Sequence, residues 1–384
     1  MTGTYCAIPF YNIRLHNGPS VPCCLLDSDV YDLFGTSDMT VDQAWTSKGF
    51  EDFRESFRQG ERHSACSGCW HQEDIGSKSL RHSYTQQITE QMKLPKTTVA
   101  TSKPKMIQWV FTNQCNFACR TCGIHSSTGW VKETKELANA NEPEYVELMK
   151  YYDKTPKYRE DRYAELMPMF NECTWLELQG GETLIHRELV PMLTHLANEG
   201  LAQQMMLVLT TNGSIPPNDK LVAVLQQFKN VRITFSIDAV TQDTFRYVRT
   251  GDFEQVKRNI AKWQSHKEFN YFTNPTISIL NIWCLDDVLK WCDTTFGVTS
   301  VGTNWVMHPT YFNPTIMPEV IKETIQSNST YWRSRKFLPR MFTDKHDPKL
   351  WQEFIRKTKW IDESRNQSME KEMPELYSLI NNSC

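Results

Sequence analysis

The chain has 384 residues, enough for two or three domains, and 40% of them are hydrophobic, which suits a substantial globular core. Its formal net charge of −3 gives no overall basic character and argues against nucleic acid as a partner. No apolar run reaches the length of a membrane span, and residues 1–10 lack a signal-peptide pattern. We therefore expect a cytoplasmic protein, in which the twelve cysteines serve as metal ligands rather than as disulfides.

Residues 1–85 form the first predicted domain, which is small and rich in cysteine and turn residues. A helix is predicted at 41–60, because its apolar residues follow helical periodicity and a glycine ends the segment. The polar stretch at 86–104 carries turn signals and no clear periodicity, which predicts a linker.

Short apolar runs rich in β-branched residues recur between 105 and 310, and helical patterns lie between most of them. This alternation is typical of parallel βαβ units with right-handed crossovers. The predicted strands lie at 106–111, 174–178, 205–210, 231–237, 276–280 and 301–307. Six strands favour a partial (β/α)₆ TIM-like barrel over a closed eight-stranded one, so the predicted fold class is α/β.

Two helical additions complete the predicted architecture. A charged segment at 131–172 interrupts the alternation and is predicted to be a helical insert of the barrel domain. Residues 311–384 carry further helical patterns and are predicted to form a C-terminal extension.

Three cysteines follow the first barrel strand with C-x₃-C-x₂-C spacing: Cys115, Cys119 and Cys122. Thiols this close in sequence can converge on one metal centre, yet structural zinc normally takes four protein ligands. Iron–sulfur clusters are held by cysteine thiolates, and a four-iron cluster with three of them keeps one iron open for a small molecule. The alternative is a zinc knuckle completed by His125 or by a remote cysteine.

Three weaker polar motifs follow the next three predicted strands. Glycines let the backbone approach a ligand, a carboxylate suits an ammonium group, and an arginine can bind a carboxylate with two hydrogen bonds. Each motif alone is equally typical of an ordinary turn or surface position. Because parallel strand ends form one rim, we expect these motifs to lie beside the cysteines. Their residues are Gly180, Gly181, Glu182, Thr211, Asn212, Ser236, Asp238 and Arg249.

The combination resembles the radical S-adenosylmethionine (SAM) enzymes over roughly residues 105–310. That superfamily carries C-x₃-C-x₂-C after the first strand of a partial (β/α)₆ barrel. The resemblance implies that the glycine–glycine–glutamate segment contacts the SAM ammonium, that Asn212 lies on the ribose side, and that Ser236, Asp238 and Arg249 reach the carboxylate and ribose. Thr183 replaces a common proline, and Gly123 replaces the usual aromatic residue.

The resemblance also implies the chemistry. A [4Fe–4S] cluster would cleave SAM reductively to a 5′-deoxyadenosyl radical, which abstracts hydrogen from a substrate. Flavodoxin or ferredoxin would supply the electron. The substrate is not readable from the sequence, and a peptide or protein side chain is favoured. The competing hypothesis is a zinc-stabilised binding module without catalysis.

The cysteines of residues 1–85 resemble those of SPASM/twitch auxiliary-cluster domains, here placed before the barrel. This implies a second iron–sulfur cluster, and zinc is the alternative because C-x₂-C is also a common zinc half-site. The implied ligands are Cys6, Cys66, Cys69 and one of the neighbouring Cys23 and Cys24, with Cys23 favoured.

Other residues carry no ligand spacing. Buried free cysteines behave as small hydrophobic side chains, which is the prediction for Cys173, Cys284, Cys292 and Cys384. His308 is predicted to be a core or surface residue. Glu73, Ser79 and Arg81 are expected to pack the N-terminal domain onto the barrel.

Overall fold

The computed structural model describes residues 3–16, 18–26, 28–74, 76, 78–140, 142–154 and 160–381. Cys384, predicted to be a packed thiol, lies outside these residues, as does part of the predicted insert. Within the described ranges no helix combines the length and apolar character needed to cross a bilayer.

The main sheet has six strands whose spatial order follows their order in the sequence. The pairs for which registers are defined are all parallel. The strands are β1 (Asn12–Leu15), β2 (Met106–Val110), β3 (Trp175–Gln179), β4 (Met206–Thr211), β5 (Asn230–Phe235) and β6 (Asn270–Thr273). This parallel α/β architecture confirms the predicted fold class, a partial TIM-like barrel.

A second, two-stranded parallel sheet is formed by β7 (Thr276–Ile277) and β8 (Asn304–Trp305). Both strands fall within the predicted ranges 276–280 and 301–307, and a parallel bridge joins Val301 to Thr273 of β6. The prediction is wrong in placing them in the main sheet, which ends instead with β6, a strand that was not predicted. Pro275 interrupts the chain between β6 and β7 and cannot donate a backbone hydrogen bond to a ladder.

The first strand of the main sheet comes from the predicted N-terminal domain. β1 pairs with β2 from Asn12↔Met106 to Leu15↔Trp109. β1 has four residues, too few for a period-two pattern to be recognised, so this strand was not predicted from the sequence. The sheet therefore begins within the segment that was predicted to be separate from the barrel.

Helices fill the remaining length, including the predicted insert and C-terminal extension. They are α1 (Ile8–Tyr11), α2 (Val41–Trp45), α3 (Lys48–Arg58), α4 (Ser67–Asp74), α5 (Leu80–Gln86), α6 (Val131–Asn139), α7 (Pro143–Lys154), α8 (Glu160–Phe170), α9 (Leu189–Asn198), α10 (Asp219–Leu225), α11 (Gln242–Arg249), α12 (Phe253–Gln264), α13 (Leu285–Phe296), α14 (Glu319–Asn328), α15 (Ser334–Phe337), α16 (Pro348–Arg365), α17 (Met369–Glu372) and α18 (Pro374–Asn381).

The helix predicted at 41–60 is divided in two. Ser47 Oγ accepts a hydrogen bond from Phe50 N (3.3 Å) and so caps α3, while it donates to Phe34 O (3.1 Å). A serine with these bonds favours a new helix start over continuation of α2. The predicted linker begins with a short π-helical turn, Gln87–Gln91, that continues α5.

The chain folds into two compact units. The first comprises residues 1–113, 153–209 and 219–231, and the second comprises 114–152, 210–218 and 232–384. In the first unit, alternate strand residues such as Ile13, Ile107 and Leu176 are fully buried. The opposite strand face carries Gln108, whose amide donates to Glu177 (3.1 Å).

In the second unit, Asp286 in the first turn of α13 holds the segment that follows α14. Its carboxylate accepts hydrogen bonds from Ser329 Oγ (2.6 Å), Thr330 N (2.8 Å) and Tyr331 N (2.8 Å). Burial alone would raise the pKa of Asp286, but these bonds outweigh it and lower the pKa to about 2. A lowered pKa in the folded state means that the charged carboxylate stabilises the fold.

We predict that Asp286→Asn destabilises the second unit by about 2 kcal/mol at neutral pH. This figure is the free energy that corresponds to the lowered pKa of Asp286. In the wild type this contribution is present above the unfolded pKa near 4 and is lost as the pH falls towards 2. Urea unfolding followed by fluorescence between pH 7 and pH 2 measures it. Asp287→Asn, an exposed neighbour on the same turn, is the matched control. Equal stability of the two variants at pH 7 would contradict the prediction.

Candidate functional site

The loop after β2 carries the three motif cysteines and is attached to the end of α11. A helix leaves its last carbonyl groups without internal partners. Here Val248 O accepts from Arg120 N (2.8 Å), and Arg249 O accepts from the Cys119 thiol (3.6 Å). The loop therefore satisfies the helix end, and the helix end fixes the path of the loop.

The residues after α11 complete this attachment. Thr250 lies in the left-handed region (φ 64°), and its Oγ1 accepts a hydrogen bond from Ala118 N (2.8 Å). A Cβ at Gly251 would lie 2.2 Å from the Phe117 ring. Glycine is therefore required at 251 because the aromatic residue after Asn116 packs directly against it.

The motif thiols lie close enough to alter one another's ionisation. A hydrogen bond with Cys122, together with burial, raises the pKa of Cys119. The same bond lowers the pKa of Cys122, with the nearby Arg249 charge acting in the same direction and Cys115 against it. All three cysteines thus belong to one charge-coupled group at the loop.

Within the described part of the chain, no three His, Cys, Asp or Glu side chains converge as ligands of a single metal ion. An iron–sulfur cluster spreads its cysteine ligands over separate irons. Three coupled thiols on one loop have the donor chemistry that suits such a cluster.

Arg249 and Asp238 form an ion pair next to these thiols. Their side chains are 9% and 3% exposed, and Asp238 Oδ1 also accepts from Thr276 N (2.7 Å). Burial alone would lower the pKa of Arg249, but Cys119, Asp238 and Cys122 raise it above the ordinary value. The buried Nε of Arg249 has no hydrogen-bond partner within the described structure. A permanent cation that keeps one unsatisfied donor therefore lies beside the cysteine group.

The turn after β4 joins the same group. Asn212 Oδ1 accepts from Ser214 N (2.9 Å), and its Nδ2 donates to Asn116 Oδ1 (2.9 Å) and lies 3.9 Å from Cys115 Sγ. Thr211 O accepts from Ser236 N (2.9 Å). The second unit thus brings together the residues predicted after three strands, namely Cys115, Cys119, Cys122, Thr211, Asn212, Ser236, Asp238 and Arg249.

The glycine–glycine–glutamate segment lies in the first unit, at the end of β3. Gly180 and Gly181 have φ values of 94° and 54°, and a Cβ on Gly180 would lie 2.7 Å from Thr112 O. Glu182 is fully buried, and its carboxylate accepts from Leu184 N (3.1 Å). The glycines are needed for close approach to β2, and contact of Glu182 with an ammonium group stays a prediction.

Two residues that enclose the cysteine loop were not predicted from the sequence. Arg120 is fully buried, donates to Tyr247 O (2.9 Å) and pairs with Asp362 (2.5 Å) on α16. Trp130 Nε1 donates to Cys119 O (2.9 Å). The position of Arg120 directly after a motif cysteine could have marked it as part of the site. Its partner Asp362 could not be found in this way, because it lies 242 positions later.

The insert and the C-terminal extension supply the rest of this cover. Arg365 donates two hydrogen bonds to Glu133 (2.6 and 2.7 Å), and its guanidinium lies over the Trp130 ring (4.9 Å). A buried apolar cluster joins the loop, the insert and α16, and Cys122 packs against it. Its buried members are Ile124, Trp130, Met149, Tyr152 and Ile361.

We predict that Asp362→Ala destabilises the second unit by about 3–5 kcal/mol, because it leaves the buried Arg120 charge without its partner. Urea unfolding of the variant and the wild type measures this difference. Glu363→Ala removes an exposed carboxylate from the next position of α16 and should leave stability nearly unchanged. Similar unfolding midpoints for both variants would show that the pair does not hold the loop.

The N-terminal cysteines form a second group, within the first unit. Burial, with smaller effects of neighbouring charges including Cys69, raises the pKa of Cys6 to about 12. Burial and the charges of Cys6 and Cys69 likewise raise the pKa of Cys66. Arg81 pairs with Glu73 and donates to Tyr5 O, next to Cys6. The described bonds of Arg81 and Glu73 thus lie inside this domain.

Cys23 and Cys24 belong to the same group. Their mutual hydrogen bond raises the pKa of Cys23 and lowers that of Cys24 to about 7. The Cys24 thiol lies 3.9 Å from the Tyr84 hydroxyl. The choice between them as the fourth ligand stays a prediction.

The remaining described cysteines are free thiols. Cys173 and Cys292 are buried, and Cys284 is half-buried. Cys173 donates to Trp175 O (3.2 Å), and Cys284 donates to Asn281 O (3.4 Å). His308 is exposed, in keeping with a surface position.

Two family models match this chain. The model described as the radical SAM superfamily matches residues 109–292, and the SPASM model, described as an iron–sulfur cluster-binding domain, matches residues 6–70. Together they span more than half of the sequence. The chain therefore carries a region of the radical SAM superfamily of enzymes and, earlier in the sequence, a region that matches the SPASM domain. This family uses a [4Fe–4S] cluster and SAM, so the predicted cofactors are confirmed at the level of the family.

Comparison with solved structures gives distant similarities. Native anSMEcpe with bound AdoMet is 16% identical over 62% of this chain and 62% of its own length, with a TM-score of 0.42. SuiB of Streptococcus suis is 10% identical over 86% of this chain and 68% of its own, with a TM-score of 0.42. SuiB bound to the precursor peptide SuiA is 11% identical over 77% and 59%, with a TM-score of 0.40. The chain thus spans less than two thirds of anSMEcpe, and comparison with curated proteins gives no match.

Proposed function

We propose that this protein is a catalytically active radical SAM enzyme whose substrate-activating cluster is held by Cys115, Cys119 and Cys122. The observation that carries the proposal is the coupling of these thiols, on one loop, with the buried Arg249–Asp238 pair. When bound, the [4Fe–4S] cluster and SAM supply one-electron cleavage of the SAM C–S bond to a 5′-deoxyadenosyl radical that abstracts hydrogen from the substrate. The protein residues would hold the cluster and SAM, orient them and shield them from water.

Arg249 would hold the carboxylate of SAM. Asp238 already takes one side of the guanidinium, which orients the remaining donors, including the unpartnered Nε. A charged donor to a carboxylate gives a short, strong bond and a fixed orientation. Asn212 and Ser236 would lie on the ribose and carboxylate sides, and Glu182 would accept from the ammonium group.

The cover over the loop would exclude water from the reaction. Trp130 and the Arg365–Glu133 pair enclose the backbone of the cysteine loop on the side of the insert. A dry site strengthens the electrostatic interactions inside it and prevents a reactive radical from meeting stray hydrogen donors. The insert and α16 would thus serve catalysis without contacting the substrate.

The N-terminal cysteines would hold the auxiliary iron–sulfur cluster of the SPASM domain, through Cys6, Cys66, Cys69 and Cys23 or Cys24. The reduction of the first cluster would need a protein electron donor such as flavodoxin or ferredoxin. We also propose a peptide or protein side chain as the substrate. A cytoplasmic location would keep this many thiols reduced.

We predict that two four-iron clusters give about eight irons and eight sulfides per chain after anaerobic reconstitution. Replacing Cys115, Cys119 and Cys122 together with alanine should remove about half of the iron and abolish formation of 5′-deoxyadenosine. Replacing Cys6, Cys66 and Cys69 together with alanine should remove the other half of the iron. Iron and sulfide assays with chromatography of the SAM products measure both effects.

Cys284→Ala is the control, because this half-buried thiol belongs to neither group. It should keep full iron content and SAM cleavage. A wild-type protein that holds stoichiometric zinc, takes up no iron and never cleaves SAM would instead support the zinc-stabilised binding module.

We predict that Arg249→Lys keeps the cluster but weakens SAM binding at least tenfold, because lysine retains the charge and loses the planar set of donors. A tenfold change corresponds to about 1.4 kcal/mol. Equilibrium dialysis with labelled SAM measures the dissociation constant. Arg246→Lys, on the same turn but half exposed, is the matched control. Equal SAM affinity of the two variants would contradict the role given to Arg249.

A further inference from the structure

A cationic and aromatic surface lies on the segment that follows α14, outside the site described above. It combines exposed large apolar side chains with basic residues, and we name it the cationic face. Its members are Trp332, Arg335, Lys336, Arg340, Phe342 and Lys345.

Contact and helical spacing bring three of these residues together, namely Trp332, Lys336 and Arg340. Lys336 lies four positions before Arg340 across α15 and the 3₁₀ turn Leu338–Phe342. The intervening Leu338 and Met341 are buried. Lys336 Nζ lies 4.6 Å from the centre of the Trp332 ring, which shows that these two members are in contact.

The charge of this surface is opposite to that of the chain. Residues 332–345 contain these four basic residues and one acid, Asp344, whereas the whole chain carries a net charge of −3. Glu319 lies at the Lys345 end of the segment, where it accepts from His346 N. Arg333 does not add to it, since it is buried and paired with Asp293. Trp332 is 50% exposed and Phe342 is 37% exposed. Cations among exposed aromatic rings fit a partner that has both carboxylates and apolar side chains.

The cationic face lies within reach of the Arg249–Asp238 pair. Asp238 accepts from Thr276 N, Thr276 pairs with Asn304, and Met307 follows three residues later. Arg340 lies over the Trp305 ring (4.9 Å) and 4.0 Å from Met307 Sδ. By way of Trp305, one strand spacing, one residue and the side chains amount to roughly 20 Å, which about six residues of an extended peptide can span.

We infer that the cationic face docks an acidic, partly apolar segment of the peptide substrate. The inference rests on the proposed function, because it assumes that hydrogen abstraction takes place beside Arg249. A segment bound at Lys336 and Arg340 would hold the reacting residue about six positions away at the site. Trp332 and Phe342 would bind its apolar side chains, and the basic residues would select its carboxylates.

The test measures binding by fluorescence anisotropy with the full chain, and therefore does not depend on SAM cleavage. The probe is the fluorescein-labelled peptide Gly-Glu-Asp-Phe-Glu-Asp-Leu-Glu-Gly, and its neutral counterpart carries Gln and Asn instead of the acids. Lys336→Glu/Arg340→Glu should weaken binding of the acidic probe at least tenfold, and higher salt should weaken it in the wild type. Trp332→Ala should weaken binding in low and high salt alike.

Arg258→Glu/Lys262→Glu is the matched control, since it makes the same change of charge on the exposed side of α12. This control should bind the acidic probe within twofold of the wild type. Equal binding of the acidic and neutral probes, or an unchanged affinity of the Lys336→Glu/Arg340→Glu variant, would overturn the inference. A wild type that instead binds a nine-nucleotide oligouridine more tightly than the acidic peptide, with that binding lost in the Lys336→Glu/Arg340→Glu variant, would also overturn the inference. This result would indicate a nucleic-acid surface.

Iron content and SAM cleavage are measured separately on the wild type. Failure of SAM cleavage with intact peptide binding would reject the proposed function and leave a docking surface without the chemistry. Cleavage of SAM without peptide binding would reject the docking inference alone.

Discussion

The hydrogen bonds between the cysteine loop and the end of α11 are the constraint on which the site depends. The helix ends with carbonyl groups that need donors, and the loop supplies them through Arg120 and Cys119. The same helix end carries Arg249, so the bonds that fix the loop also fix the cation beside its thiols. A single local requirement of backbone chemistry thereby positions both the cysteines proposed to hold the cluster and the arginine proposed to hold SAM.

Buried charge sets the character of this region. Arg249 lies among Asp238, Cys119 and Cys122, and their attraction outweighs the cost of burying its charge, so that its pKa is raised. Arg120 is a second buried cation, paired with Asp362, and here burial lowers the pKa of the guanidinium despite that partner. Removing either acid would leave an isolated buried cation, which is far more costly than a missing surface pair. The insert and α16, which supply the outer partners, are therefore parts of the site.

Much of the site could be predicted from the sequence because its residues come directly after strands, and parallel strands end on one rim. The link between Phe117 and Gly251 explains why separate motifs occur together, since the aromatic ring needs a position without a Cβ. The pairing of Arg120 with Asp362 could not be predicted, because no local pattern marks two residues that lie so far apart. The edge strand β1 was too short to be recognised, and the last two predicted strands form a second sheet, which the sequence pattern does not distinguish from the first.

We propose that three cysteine ligands leave one iron of the cluster open to SAM. Electron paramagnetic resonance of the dithionite-reduced protein, in a variant lacking Cys6, Cys66 and Cys69, isolates the cluster at issue. When ¹⁵N-labelled SAM is added, we expect the resonance signal of the reduced cluster to change and to show hyperfine coupling to the amino nitrogen of SAM. A signal that SAM leaves unchanged, with no nitrogen coupling, would contradict it.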